Sequence, residues 1–267
     1  MTRINHWKQL VDELSKFKNT PTLHPNFLFR GQASSKWTLE PSFTRIAKKK
    51  GLSRAQVLQL EREAVNKFSI SASKLLPLEY TIDLTLSRFK SSDGKGLDFL
   101  GWFVVIQHYF APTRQLDWSV SPWAALYFAC CEEDELDGML WVGDFNKVTE
   151  YGNQKLSSLG SEFVALITDP TSPDILMFSN AFNTNQRVEA QQGKFSICTN
   201  PLTDHLPMLE DAQAISKLEI PKELKPIVMV ELDQMNISAK TLFPGVDGLG
   251  RSITVYCNQW DKSSKIT

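Results

Sequence analysis

The chain has 267 residues, 42% hydrophobic and 22% charged, with a formal net charge of -1. This is a globular composition, long enough for one large domain or two small ones. Near-neutral charge argues against general nucleic-acid binding, which needs surplus Lys and Arg on phosphates, and no run of about 18 apolar residues is present to span a membrane.

Near the start, Trp7, Leu10, Val11, Leu14 and Phe17 recur at helical spacing, which predicts an amphipathic helix over 3–18 rather than a signal peptide. After the turn signal Leu23-His24-Pro25-Asn26, the run FLFRGQ (27–32) reads as a short buried strand. Arg30 projects a guanidinium from its end, and Gly31 allows a backbone or a ligand to approach closely. The plain alternative for Arg30 is a structural carboxylate partner at a strand edge. The next stretch, WTLEPSFTR, is extended up to Pro41, because a residue before proline avoids the helical region.

Lys48, Lys49 and Lys50 are expected on a solvated surface. Ser53 with Gln56 fits a capping box, opening a helix with Val57, Leu60, Ala64, Phe68, Ala72 and Leu75 on its apolar face. Residues 81–98 read as a flexible polar loop around Asp93-Gly94-Lys95-Gly96. LDFLGWFVVIQHYF is a buried helix by length, and SPWAALYFACC begins a second, with Ser121 as N-cap and Pro122 at its first position. GMLWVGDF reads as a strand, 146–162 as a weakly patterned insertion, and EFVALITDP, FSICT and SITVYCNQW as strands. IPKELKPIVMVELDQM suits either a helix or a strand. The four cysteines lack ligand spacing, so a reduced, cytoplasmic protein without a metal site is expected. With no repeat and no linker, the chain is expected to form one α+β domain.

Polar residues interrupt the apolar pattern in two further places. In QHYFAPTRQLDWSVSPWAALYFA (107–129), Gln107, His108, Arg114, Asp117, Ser119 and Ser121 sit between two buried segments. Buried polar groups must pair or face a ligand, so this density points to a site, with Arg114 and Asp117 as a local pair across the turn. In NQRVEAQQGKFSI (185–197), Arg187, Glu189, Gln191 and Gly193 stand at even offsets, on one face if the segment is extended. The plain alternative here is an exposed edge strand with one polar face.

Taken together, these blocks resemble the FRG-domain family, named for the motif that stands here as Phe29-Arg30-Gly31. FRGQASSKWTLEPSFTR is similar to its opening block, QHYFAPTRQLDWSVSPWAALYFA to its central signature, NQRVEAQQGKFSI to its Arg…Gln-x-Gly-x-Phe block, and TLFPGVDGL (241–249) to its closing segment. The departures are Phe110 where glycine is common, Gln115 where leucine is usual and Ser119 where threonine is frequent. The resemblance implies a single FRG domain over 1–267, with core blocks over 27–250. It also implies mixed central sheets like those of the ADP-ribosyltransferase fold, with helices packed around them.

In type and order the blocks are similar to those of ADP-ribosyltransferases. Arg30 matches the first-strand arginine, Ser119 and Ser121 the Ser-x-Ser, and Glu189 or Gln191 the transferase glutamate. The resemblance therefore implies NAD as substrate. Together with the polar clusters read above, it gives an expected catalytic set of Arg30, His108, Glu189 and Gln191, and a binding set of Arg30, Gly31, Gln32, Gln107, Arg114, Asp117, Ser119, Ser121 and Arg187. It implies a nucleotide-type ligand, a protein or nucleic-acid target for modification, and the role of a bacterial toxin or antiphage effector, while the apolar pattern and cysteine spacing read above lead to the expectation of no membrane and no metal. The alternative is a non-catalytic module that binds a nucleotide or a protein.

Overall fold

The computed structural model describes residues 1–20, 24–72, 75, 97–180 and 186–259. Its centre is one mixed seven-stranded sheet: β1 (Thr2–Arg3), β2 (Phe27–Gln32), β3 (Leu116–Ser119), β4 (Gly138–Asp144), β5 (Leu176–Asn180), β6 (Gly193–Cys198) and β7 (Ile215–Ile220). The spatial order is β1-β7-β4-β2-β3-β6-β5, with β1 parallel to β7 and the other pairs antiparallel. The expected α+β class is observed, as a single mixed sheet rather than several.

β2 is central, and its two faces serve two cores. Phe29 packs with α5 (Pro122–Cys130) and α10 (Lys225–Gln234), while Leu28 joins Trp118 and Trp141 on the other side. A strand covered on both faces reads as a continuous apolar run, which is why FLF precedes Arg30. Arg30 lies inside this strand, opposite Trp141, and the strand continues to Gln32. The glycine of the motif has a clear mechanical cause. A Cβ at Gly31 would meet the Ala125 carbonyl oxygen at 1.8 Å and the Ala129 nitrogen at 2.6 Å, so only glycine lets α5 press on β2 here.

The decisive feature of the sheet is a split. β2 pairs with β4 along all of Phe27–Gln32, and β3 pairs with β6 along all of Leu116–Ser119. Between β2 and β3 the register is held at Phe29↔Ser119. Beyond Phe29 the two strands part, and a cleft opens there.

Several elements follow their local signals. Ser121 caps α5, accepting from the Ala124 N–H at 3.3 Å, with Pro122 in the first turn. Ser53 and Gln56 form the reciprocal cap of α3 (Arg54–Ala72). α4 (Leu97–His108) and β4 stand where their apolar runs predict them. The 93–96 turn and most of the 81–98 loop lie outside the described residues.

Other elements differ from expectation. The N-terminal helix is α1 (Trp7–Leu14), preceded by β1 rather than starting at residue 3. α2 (Ser42–Lys49) follows Pro41 immediately and ends in the exposed lysines. In α3 the buried positions are Val57, Leu58, Glu61, Val65 and Ala72, whereas Ala64 is exposed. The stretch read as an insertion is α6 (Phe145–Leu159), started by the Asp144 side chain and closed by Gly160 in the left-handed region. EFVALITDP forms the single turn α7 (Phe163–Leu166).

SITVYC belongs to α12 (Val246–Gln259), not to a strand. Its β-branched residues lose to helical periodicity, because partly buried Val255 reaches the core while Ile253 and Tyr256 remain exposed. The ambiguous segment is the helix α10, with a proline in its first turn. Among elements the sequence did not mark are β5, β7 and α9 (His205–Asp211).

Candidate functional site in the split of the sheet

The cleft between β2 and β3 encloses about 300 Å³. Its walls include Arg30, Gly31 and Gln32 from β2, Asp117 and Ser119 from β3, and Arg187 and Gln191 from the chain before β6. Trp37, Arg45 and Glu132 complete the rim. Arg187 belongs to α8 (Gln186–Ala190).

Arg30 spans the split. Its Nη1 donates to the Asp117 carbonyl oxygen at 2.6 Å, a bond made possible because β3 has moved away from β2. Among the described residues Arg30 has no ion pair, and its buried Nε has no hydrogen-bond partner. The structural carboxylate that would explain this arginine is therefore missing from the described residues. Burial pushes the guanidinium below its ordinary pKa, with the Asp117 charge opposing and Arg45 adding to the effect. A half-buried cation that lines a cleft without an ion pair among the described residues is suited to an anion.

Arg187 is the second cation of the wall. Its Nη1 donates to the His108 carbonyl at 3.4 Å, and its guanidinium lies 4.8 Å from the centre of the Phe243 ring. Arg251 lies 4.3 Å from the same ring, and both arginines flank Phe110. Burial lowers the pKa of Arg187, and Arg251 adds repulsion.

The serines act as latches. Ser119 Oγ donates to the Gln191 carbonyl at 2.7 Å and accepts from the Ser121 N–H at 2.9 Å. Ser121 spends its own hydroxyl on the cap of α5. Gln191 Nε2 donates to the Leu242 carbonyl at 3.0 Å, tying the wall to α11 (Ala239–Leu242). Gln32 is similarly engaged, accepting from Trp141 Nε1 at 2.6 Å and donating to the Thr38 carbonyl at 3.0 Å.

Gln107 and His108 face a smaller adjoining space of about 30 Å³, which shares Asp117, Arg187 and Gln191 with the main cleft. Gln107 accepts from the Thr113 hydroxyl. Burial first, and Arg187 second, pull the His108 pKa down.

Two sequence expectations need correction. Arg114 does not pair with Asp117 and does not face the cleft. It is 1% exposed and bonds to Glu61, with Nε donating to Oε1 at 2.8 Å and Nη2 to Oε2. Glu189 is exposed and off the cleft wall, because Gln186–Ala190 is helical and residues two apart there face in different directions. Gln191, just beyond that helix, is the member of the pair that reaches the cleft.

Sequence reasoning missed Glu61, although a carboxylate inside the apolar stripe of α3 is its signature. It also missed His205, buried at the start of α9 with Nδ1 2.9 Å from Ser196 Oγ, which accepts from Trp118 Nε1 at 2.8 Å. Among the described residues no group of three or more His, Cys, Asp or Glu is placed to hold a metal.

Searches of curated proteins and of solved structures gave no match. A family model described as "FRG domain" matches residues 25–138, the segment that carries Arg30, Gly31, Gln32, Asp117 and Ser119. The matched segment thus carries an FRG domain, and it supplies β2, β3 and α5, the elements on either side of the split.

Proposed function

We propose that the cleft binds a dinucleotide of the NAD type and breaks its nicotinamide–ribose bond, releasing nicotinamide or transferring ADP-ribose to a target. The observation that carries this reading is the half-buried guanidinium of Arg30, without an ion pair among the described residues, in a cleft of about 300 Å³. That volume is at the lower end of small-molecule sites, enough for a diphosphate and one riboside with the remainder reaching outward. A guanidinium can hold a diphosphate through two donors at once, and Arg187 adds a second positive charge on the same wall. The meeting of Arg30, Ser119 and Gln191 in one cleft is what the likeness to ADP-ribosyltransferases leads one to expect.

In this reading Arg30 positions the diphosphate, the Ser119–Ser121 latch fixes the wall, and catalysis comes from positioning and electrostatics. An NAD-consuming activity of this kind would suit a toxin or an antiphage effector. The second reading is a non-catalytic nucleotide-binding module, favoured by Gln191: an amide cannot act as a base, and its N–H is spent on Leu242. Incubation with NAD separates the two. Nicotinamide release supports catalysis, binding without release supports the module, and absence of binding rejects both.

A further inference from the structure

With Glu189 off the wall, a positively charged sugar carbon in the cleft would need another carboxylate. We propose that Asp117 is the catalytic carboxylate of this cleft. The proposal rests on the NAD reading above and adds the residue that faces the reacting carbon.

Asp117 is the exposed residue of an otherwise buried strand, between Leu116 and Trp118. Its backbone is fixed on both sides, by the β3–β6 register opposite Phe195 and by the Arg30 bond to its carbonyl. Its carboxylate makes no hydrogen bond or ion pair among the described residues, although its charge acts on both Arg30 and Arg187. Asp117 also borders both the main cleft and the smaller space beside His108. A rigidly mounted, uncommitted carboxylate between two phosphate-type cations can sit beside a sugar while its diphosphate is held. Glu132 is the other carboxylate of the rim, but its charge is not among those acting on Arg30 or Arg187.

The step balances as follows. The bond from C1′ to the nicotinamide nitrogen breaks, and its electron pair leaves with the nitrogen, giving neutral nicotinamide. Asp117 stabilises the positive charge left on C1′. A water or acceptor hydroxyl then adds a lone pair to C1′, and its proton passes to the Asp117 carboxylate and on to solvent.

The test uses the purified full chain with NAD, following nicotinamide release and, separately, NAD binding by calorimetry. Asp117→Asn should lower turnover about 100-fold or more, with NAD bound as tightly as before or more tightly, and with melting unchanged. Asp117→Glu should restore part of the turnover. Wild-type turnover in a folded Asp117→Asn, or loss in Glu132→Gln with turnover kept in Asp117→Asn, overturns the assignment and leaves the NAD reading standing. A wild-type protein that binds NAD without releasing nicotinamide overturns both. Should Asp117→Asn melt early, Asp117→Ser with Asp117→Glu decides the same question.

Discussion

Arg114 and Glu61 stand 53 positions apart and form a buried ion pair behind the cleft. The same guanidinium donates from Nη1 to the carbonyls of Ile167 and Thr199, each at 3.0 Å. One side chain thereby joins α3, the start of β3 and the end of β6. Burial pushes the Glu61 carboxyl up, and the guanidinium opposes that push. Glu61→Ala should destabilise by about 3–5 kcal/mol, because it leaves a buried charge without its partner. Glu61→Leu with Arg114→Met should recover only part of this, since the carbonyls then lose their donor. Urea unfolding of the two variants beside the wild type measures both effects, and a near-neutral Glu61→Ala would contradict the pairing.

Arg30→Lys should lose nucleotide affinity almost as fully as Arg30→Ala, roughly tenfold or more, because an ammonium cannot replace a planar fork. Both variants should fold, since the apolar side chains of β2 are untouched. Calorimetry with NAD gives the affinities, and equal binding by Arg30→Lys and wild type would refute the anion role. Early melting of Arg30→Ala would assign the arginine to the scaffold instead.

Ser119→Ala should cost about 1–2 kcal/mol of stability, because its hydroxyl serves both the Gln191 carbonyl and the Ser121 N–H. Asp117→Ala should change melting far less, as that side chain is exposed and unpaired among the described residues. This order reverses what a local Arg114–Asp117 pair would give. Thermal melts of the two variants, run side by side, decide it.

His205 predicts an acid-sensitive fold. Burial, with Arg30 and Arg114 nearby, lowers its pKa to about 3 from the ordinary 6.5. The folded state therefore resists a proton that the unfolded chain accepts below about 6.5. The contribution is intact above that pH and is lost as pH falls toward 3, on the order of 4 kcal/mol by pH 3. His205→Gln should be less stable at pH 7, with Ser196 left a poorer partner, yet lose less on acidification. Parallel stability curves for the two proteins between pH 7 and pH 4 would show that His205 does not carry the effect.

The sequence by itself determined the elements whose signals are local. The Ser53–Gln56 cap, the Ser121-Pro122 start of α5 and the apolar run of β2 need only neighbours within a turn or a strand. It also marked Arg30, because a charge after FLF is anomalous wherever the strand is placed. The tertiary structure alone decided partners and faces. Arg114 takes Glu61 instead of Asp117 because α3 brings a carboxylate from 53 positions away into the buried end of β3. Glu189 leaves the cleft because Gln186–Ala190 coils as a helix, and Gln191 takes its place there. Gly31 answers to the backbone of α5, which reaches it only when the sheet is assembled. The cleft itself exists because β2 and β3 each complete their pairing with another strand, β4 and β6, and meet one another at Phe29↔Ser119 before parting.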